Sequence, residues 1–366
     1  MKKIAVFLSV AALLSAFVAC AKKGVGAEDT RPTIRLLTDK AGINDKSFNA
    51  AAWRGILDFY GDTWEDAKAR GIKYDVIACD PEQDAVAALR QASEAGCDLV
   101  IATGFSFADA LDEVAPQYPE QKYAIIDVDY VTHPNVMNFV FTEEQGSYLV
   151  GVAAALQAQI ERVPQPRFGF IGGVADATLT KFEMGYIQGI RSVLPEADIV
   201  DYFAGDWSKP ELAKAQAKSW YENGVYAIFS AAGSTGNGTI AQAKECRIQG
   251  KNVWAIGVDS DQYEDGLYEE KKSAVLTSMV KRVETATKYV LKSVADGTFS
   301  GRVVSLSLKD DGVAFSISNV DLRPDVVSQL LSIRQSIVDG KITIVPTYRE
   351  ALAAGLAPAG LAAVDE

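Results

Sequence analysis

Apolar residues fall in short continuous runs along this chain: TIRLLTD (33–39), KYDVIACD (73–80), DLVIATG (98–104), KYAIIDVD (122–129), RFGFIGG (167–173), YAIFSAA (226–232) and VWAIGVD (253–259). Between them the spacing turns helical, as in SFNAAAWRGILDFY (47–60), where Trp53, Ile56, Leu57 and Tyr60 share one side, and in DAVAALRQASEAG (84–96) and SKPELAKAQAKSWYENG (208–224). Runs apolar throughout are strands covered on both faces, and strand alternating with helix predicts parallel, doubly wound α/β sheets.

The pattern occurs twice. Phe182 stands 134 residues after Phe48, as Gly189 does after Gly55 and Phe168 after Ile34. DLVIATGFSF (98–107) is echoed by YAIFSAAGSTG (226–236), and YAIIDVD (123–129) by VWAIGVDSD (253–261). Three echoes in order predict two α/β lobes with equivalent loops facing a common cleft, and open α/β sheets bind ligands at the carboxyl ends of their strands. DKAGINDKSFN (39–49) is such a loop, carrying Asn44, Asp45, Ser47 and the ring of Phe48 between a strand and a helix. Asp127, Asp129, Asp259 and Asp261 close two other strands, and Phe203 and Trp207 flank a third.

At 366 residues the chain exceeds one typical core and suits two lobes. A net charge of −12 disfavours nucleic acid as a partner. The single histidine, His133, leaves no imidazole cluster for zinc and argues against a histidine-based triad. Lys2 and Lys3, the apolar run 4–19 and the Ala19-Cys20 junction form a processing signal, too short and small in its residues for a comfortable membrane span. Its form resembles a lipoprotein signal, with residues 1–19 removed, Cys20 lipidated and 20–32 a flexible tether. Cleavage would leave 34 basic against 48 acidic residues, a net charge of −14, so the anchor would be the lipid and not charge. Cys79, Cys97 and Cys246 are odd in number and read chiefly as buried thiols.

Gly233, Gly236 and Gly238 are expected between a strand and a helix, offering free amides, but the Lys-Ser/Thr of a phosphate-binding P-loop is missing and no cofactor is expected. AVLTSMVKRVETATKYVLKSV (274–294) reads as a strand turning into a helix near Ser278, which puts Lys281 in the first helical turn, against the helix dipole. RVVSLSLKDDGVAFSIS (302–318) reads as a hairpin, and the Ala-, Gly- and Pro-rich tail 346–366 as a minor addition to the fold.

GINDKSFNAAAWRG (42–55), IIDVDY (125–130), FIGG (170–173) with KFEMGYIQG (181–189), AAGSTG (231–236), IGVDSDQ (256–262) and TSMVKR (277–282) together resemble, in order over residues 33–345, the basic membrane protein family of bacterial lipoproteins, and within it the purine nucleoside receptors. The resemblance implies a type I periplasmic binding fold of two lobes joined by three crossovers. The expected lobes are 33–140 with 275–303, and 141–274 with 304–345. It implies binding rather than catalysis: purine nucleosides of the guanosine, inosine and adenosine class, passed to an ABC transporter permease at the cell membrane. Carried over to this chain, it puts the base between Phe48 and Phe182 with Asp127 on its edge. The ribose falls to Asp259, paired with Lys281, and to Asn44 and the backbone near Gly233, with Asp45 and Ser47 in the same loop. A sugar or autoinducer receptor would keep the ribose contacts without the aromatic pair. A nucleoside hydrolase would need Asp39, Asp45, Asp127 and Asp259 gathered at one ion.

Overall fold

The computed structural model describes residues 29–365. In chain order the elements are β1 (Ile34–Thr38), α1 (Phe48–Tyr60), β2 (Tyr74–Ala78), α2 (Pro81–Glu94), β3 (Leu99–Thr103), α3 (Ala108–Val114), β4 (Lys122–Ile126), β5 (Val136–Phe141) and α4 (Glu143–Ile160). There follow β6 (Arg167–Gly172), α5 (Ala177–Val193), β7 (Asp198–Phe203), α6 (Pro210–Glu222), β8 (Val225–Ala231), α7 (Gly233–Ile248) and β9 (Trp254–Asp259). The chain closes with β10 (Leu267–Glu269), β11 (Lys272–Ser273), β12 (Val275–Lys281), α8 (Val283–Ala295), β13 (Arg302–Leu306), β14 (Val313–Phe315), α9 (Pro324–Val338) and α10 (Tyr348–Ala353).

Two six-stranded sheets result, ordered β13-β5-β4-β3-β1-β2 and β14-β12-β9-β8-β6-β7. The orders match strand for strand, and all pairings within them are parallel except β12 with β14. These are the parallel, doubly wound sheets expected from the apolar runs, arranged in the type I periplasmic binding architecture that the family resemblance implies, and the internal repeat accounts for their matching order. The glycines singled out by the repeat do equivalent work. A Cβ on Gly55 would lie 2.7 Å from the Glu284 carbonyl oxygen of α8, and one on Gly189 would lie 2.2 Å from the Tyr148 oxygen of α4. Each helix pair therefore packs backbone to backbone, α1 on α8 and α5 on α4.

The chain passes between lobes at 141–143, 281–283 and 306–313, and the three passages are tied together. Thr142 N donates to Leu306 O (3.1 Å) and Arg282 N to Gly312 O (2.9 Å).

Four expectations need correction here. β12 belongs to the second sheet, so the return to the first lobe falls after Lys281 and not at 275, and the first lobe keeps β13 as far as Leu306. Residues 302–318 are not a hairpin, because β13 pairs with β5 and β14 with β12 in different sheets. Lys281 ends a strand, and the helix opens only at Val283, so the conflict with the helix dipole disappears. The tail is docked: Ala351 and Ala357 are buried, Ala362 N donates to Asp201 Oδ2 at 2.6 Å, and the Val364 carbonyl accepts from the Thr180 hydroxyl. Small residues at these positions let the tail lie close against the second lobe. The lipoprotein signal and Cys20 lie outside the described residues. Among the described residues, no helix is long and apolar enough to cross a membrane.

Candidate functional site

A cleft of about 690 Å³, counting space open to solvent, lies between the lobes. Its wall includes Phe48, Asn49, Thr103, Phe105, Asp127, Leu179, Phe182, Trp207, Gly233, Asp259 and Lys281. These come from strand ends and helix starts of both sheets, as the doubly wound topology requires.

Its floor is a buried charge cluster. Lys281, 1% exposed, closes β12 and puts its ammonium 2.6 Å from Asp127 Oδ1 and 2.9 Å from Glu143 Oε1. The same ammonium lies 5.2, 5.0 and 5.3 Å from the ring centroids of Phe48, Phe141 and Phe182, within cation–π range. Burial works against the Lys281 charge, but Asp127 and Glu143 outweigh it and hold the amine above the usual lysine range. Burial pushes the Asp127 carboxyl up while Lys281 pulls it down. Burial pushes Asp259 up to about 7 against the opposing pull of Lys281 and of the Ser47 hydroxyl, which donates to its Oδ2. The expected Asp259–Lys281 ion pair is therefore replaced: Lys281 pairs with Asp127 and Glu143, and Asp259 meets Ser47 across the cleft.

Asp45 also proves to be engaged. Its carboxylate accepts from the amides of Ser47 (3.0 Å), Asn49 (2.8 Å) and Ala50 (2.9 Å), satisfying the orphan donors at the start of α1. It touches the cleft with its acceptors occupied. Asn44 is exposed and outside the wall, because the short 3-10 turn Gly42–Asn44 carries it to the surface. Gly233 opens α7 at φ +55 and lines the cleft. A Cβ on Gly238 would lie 1.9 Å from the Pro210 carbonyl oxygen, so that glycine lets α6 and α7 touch.

Four rings line the cavity. Phe182 is only 4% exposed and is backed by Phe229 at 6.2 Å, whereas Phe48, Phe105 and Trp207 are half-buried and keep open surface. Phe105, beyond β3, meets Trp207, beyond β7, edge to face at 6.1 Å across the two lobes. Phe203, the other ring expected near that strand end, packs against Phe170. Further contacts join the lobes: Lys46 to Asp265 at 2.6 Å, Arg54 to Ser260 at 2.5 Å and Asn237 to the Asp45 carbonyl at 2.9 Å. The structure is thus a closed form.

Sequence reading missed Glu143, Asn49, Thr103 and Phe105. Asn49 donates to Asp39 (2.9 Å) and accepts from Thr103 (2.7 Å), a network that stiffens the wall behind Phe48. Its adjacency to Phe48 was a usable signal. Glu143 had none, since an acidic residue in the first turn of a helix is ordinary.

A family model described as ABC transporter substrate-binding protein PnrA-like matches residues 34–347. The chain is 34% identical over 319 residues to a CD4+ T-cell-stimulating antigen of Listeria innocua, covering 85% of this chain and 87% of that one. It is 30% identical over 360 residues to the ABC transporter nucleoside-binding protein BmpA of Lactococcus lactis, covering 94% and 99%. A solute-binding protein of an ABC transporter system from Aeropyrum pernix K1 superposes with a TM-score of 0.76 at 26% identity, over 89% of this chain and 98% of that one. Matched along nearly all of its folded length, in sequence and in architecture, the chain belongs to the Bmp family of PnrA-like ABC transporter substrate-binding proteins.

Proposed function

We propose that this protein captures purine nucleosides in the interlobe cleft and delivers them to an ABC transporter permease, held at the cell membrane by a lipid on Cys20. The observation that carries the reading is the pairing of open aromatic faces with buried carboxylates in one cleft. A flat heterocycle is taken up by rings, and hydroxyl and N–H donors by Asp127 and Asp259. The base stacks on Phe48, with Trp207 rather than the buried Phe182 as the more open second face. The ribose hydroxyls reach Asp259, Lys281 and the backbone near Gly233. The Lactococcus relative's description as nucleoside-binding supports the ligand class.

A thermal-shift screen tests it. Guanosine, inosine and adenosine should raise the melting temperature, while free ribose and glucose should do little. Stabilisation by sugars alone would move the sugar-receptor reading ahead. For the anchor, Cys20→Ser should release the protein from the membrane fraction, and undiminished membrane association would refute lipidation.

A further inference from the structure

We propose that Glu143 is a positioning residue: the standing counter-ion that keeps Lys281 charged and aimed into the cleft, with Asp127 joining it only when the lobes close. Its role in ligand capture rests on the nucleoside-binding reading; its role toward Lys281 does not.

Lys281 ends β12, in the second sheet, and Glu143 opens α4, which packs on α5 and β12 of that same lobe. Asp127 follows β4, in the first sheet. Separating the lobes about the passages at 141–143 and 281–283 therefore draws Asp127 away from Lys281 and leaves Glu143 beside it. An unpaired buried ammonium is costly, so a lysine with Asp127 as its sole partner would resist opening or lose its proton. Glu143 removes that difficulty. Its carboxylate is 1% exposed and stands at a helix amino terminus, where the backbone amides favour negative charge. Lys181, on the same lobe, lies 3.8 Å from its other oxygen. An ammonium has three donors. Glu143 and Asp127 lie against the ammonium in the closed form, and a third donor can serve a ligand hydroxyl.

The test is a double-mutant cycle on the full chain in detergent, using wild type, Glu143→Gln, Lys281→Met and the double variant. Two readouts are needed: guanosine affinity by calorimetry and the urea midpoint without ligand. Glu143→Gln should weaken guanosine at least tenfold, and adding it to Lys281→Met should cost no further affinity. In urea the sign should reverse, since Glu143→Gln destabilises the wild type but relieves the carboxylate crowding left by Lys281→Met. Binding by Glu143→Gln within twofold of wild type, or equal losses in both backgrounds, overturns the proposal. Should a single variant fail to fold, a folded double variant supports the pairing and an unfolded one overturns it. If wild type binds no nucleoside, the functional reading fails while the urea cycle still decides this one.

Discussion

Asp127 and Asp259 are counterparts in the two lobes: each stands at the carboxyl end of its matching strand, and each holds a left-handed backbone, with φ of +68 and +63. Residues other than glycine adopt that region at a cost of about 1 kcal/mol or more, and such costs concentrate at functional sites. The repeat thus supplies two buried acids at the cleft, Asp127 paired with Lys281 of the crossover strand β12 and Asp259 accepting from the Ser47 hydroxyl.

The first prediction concerns pH. Asp259 is pushed up to about 7, above its unfolded value, so its burial as an anion destabilises the unliganded fold progressively as pH rises from about 4 to 7. Ligand hydroxyls prefer the ionised acceptor. Guanosine affinity should therefore fall as pH drops through 7, and Asp259→Asn should bind weakly with a flatter profile. Calorimetry between pH 5.5 and 8.5 checks both, and a wild-type profile flat across that range contradicts the assignment.

Trp207 should report directly on the base. Nucleoside binding should change its fluorescence, and Trp207→Ala should cost more than the roughly 1 kcal/mol of an aromatic pair because apolar contact is lost too. Phe48→Ala should do likewise. Phe182→Ala should instead lower thermal stability, its ring being buried against Phe229. If Phe182→Ala abolishes binding while Trp207→Ala spares it, the stack runs between Phe48 and Phe182.

Lobe closure should be visible in solution. The contacts Lys46–Asp265, Arg54–Ser260 and Phe105–Trp207 exist only between lobes, so the unliganded protein is expected to sample a more open form. Small-angle scattering should show compaction with saturating guanosine. An unchanged radius would mean that binding does not close the cleft.

Gly189→Ala should destabilise by about 1–3 kcal/mol, because the added Cβ meets the Tyr148 carbonyl oxygen and α4 must move off α5. Gly55→Ala should act similarly through α8. Thermal unfolding of the two variants measures this, and wild-type stability in both would show that the helix pairs yield without cost.

The sequence alone determined the layered α/β class, the two lobes and part of the cleft wall, since continuous apolar runs, helical spacing and a repeat at constant offset are local or self-comparing signals. Phe48, Asp127, Gly233, Asp259 and Lys281 were legible because each sits at a boundary between elements. Only the tertiary structure decided which charges meet. Whether Lys281 pairs with Asp259 or with Asp127 and Glu143 depends on how β12 is inserted between β9 and β14, a contact between distant segments that leaves no periodicity behind. The same holds for Asp45, whose carboxylate accepts from the helix amides, and for residues 302–318, whose alternation fits a hairpin as well as two strands in different sheets. Apolar patterning specifies which residues are buried; the partner of a buried charge is set by the three-dimensional path of the chain.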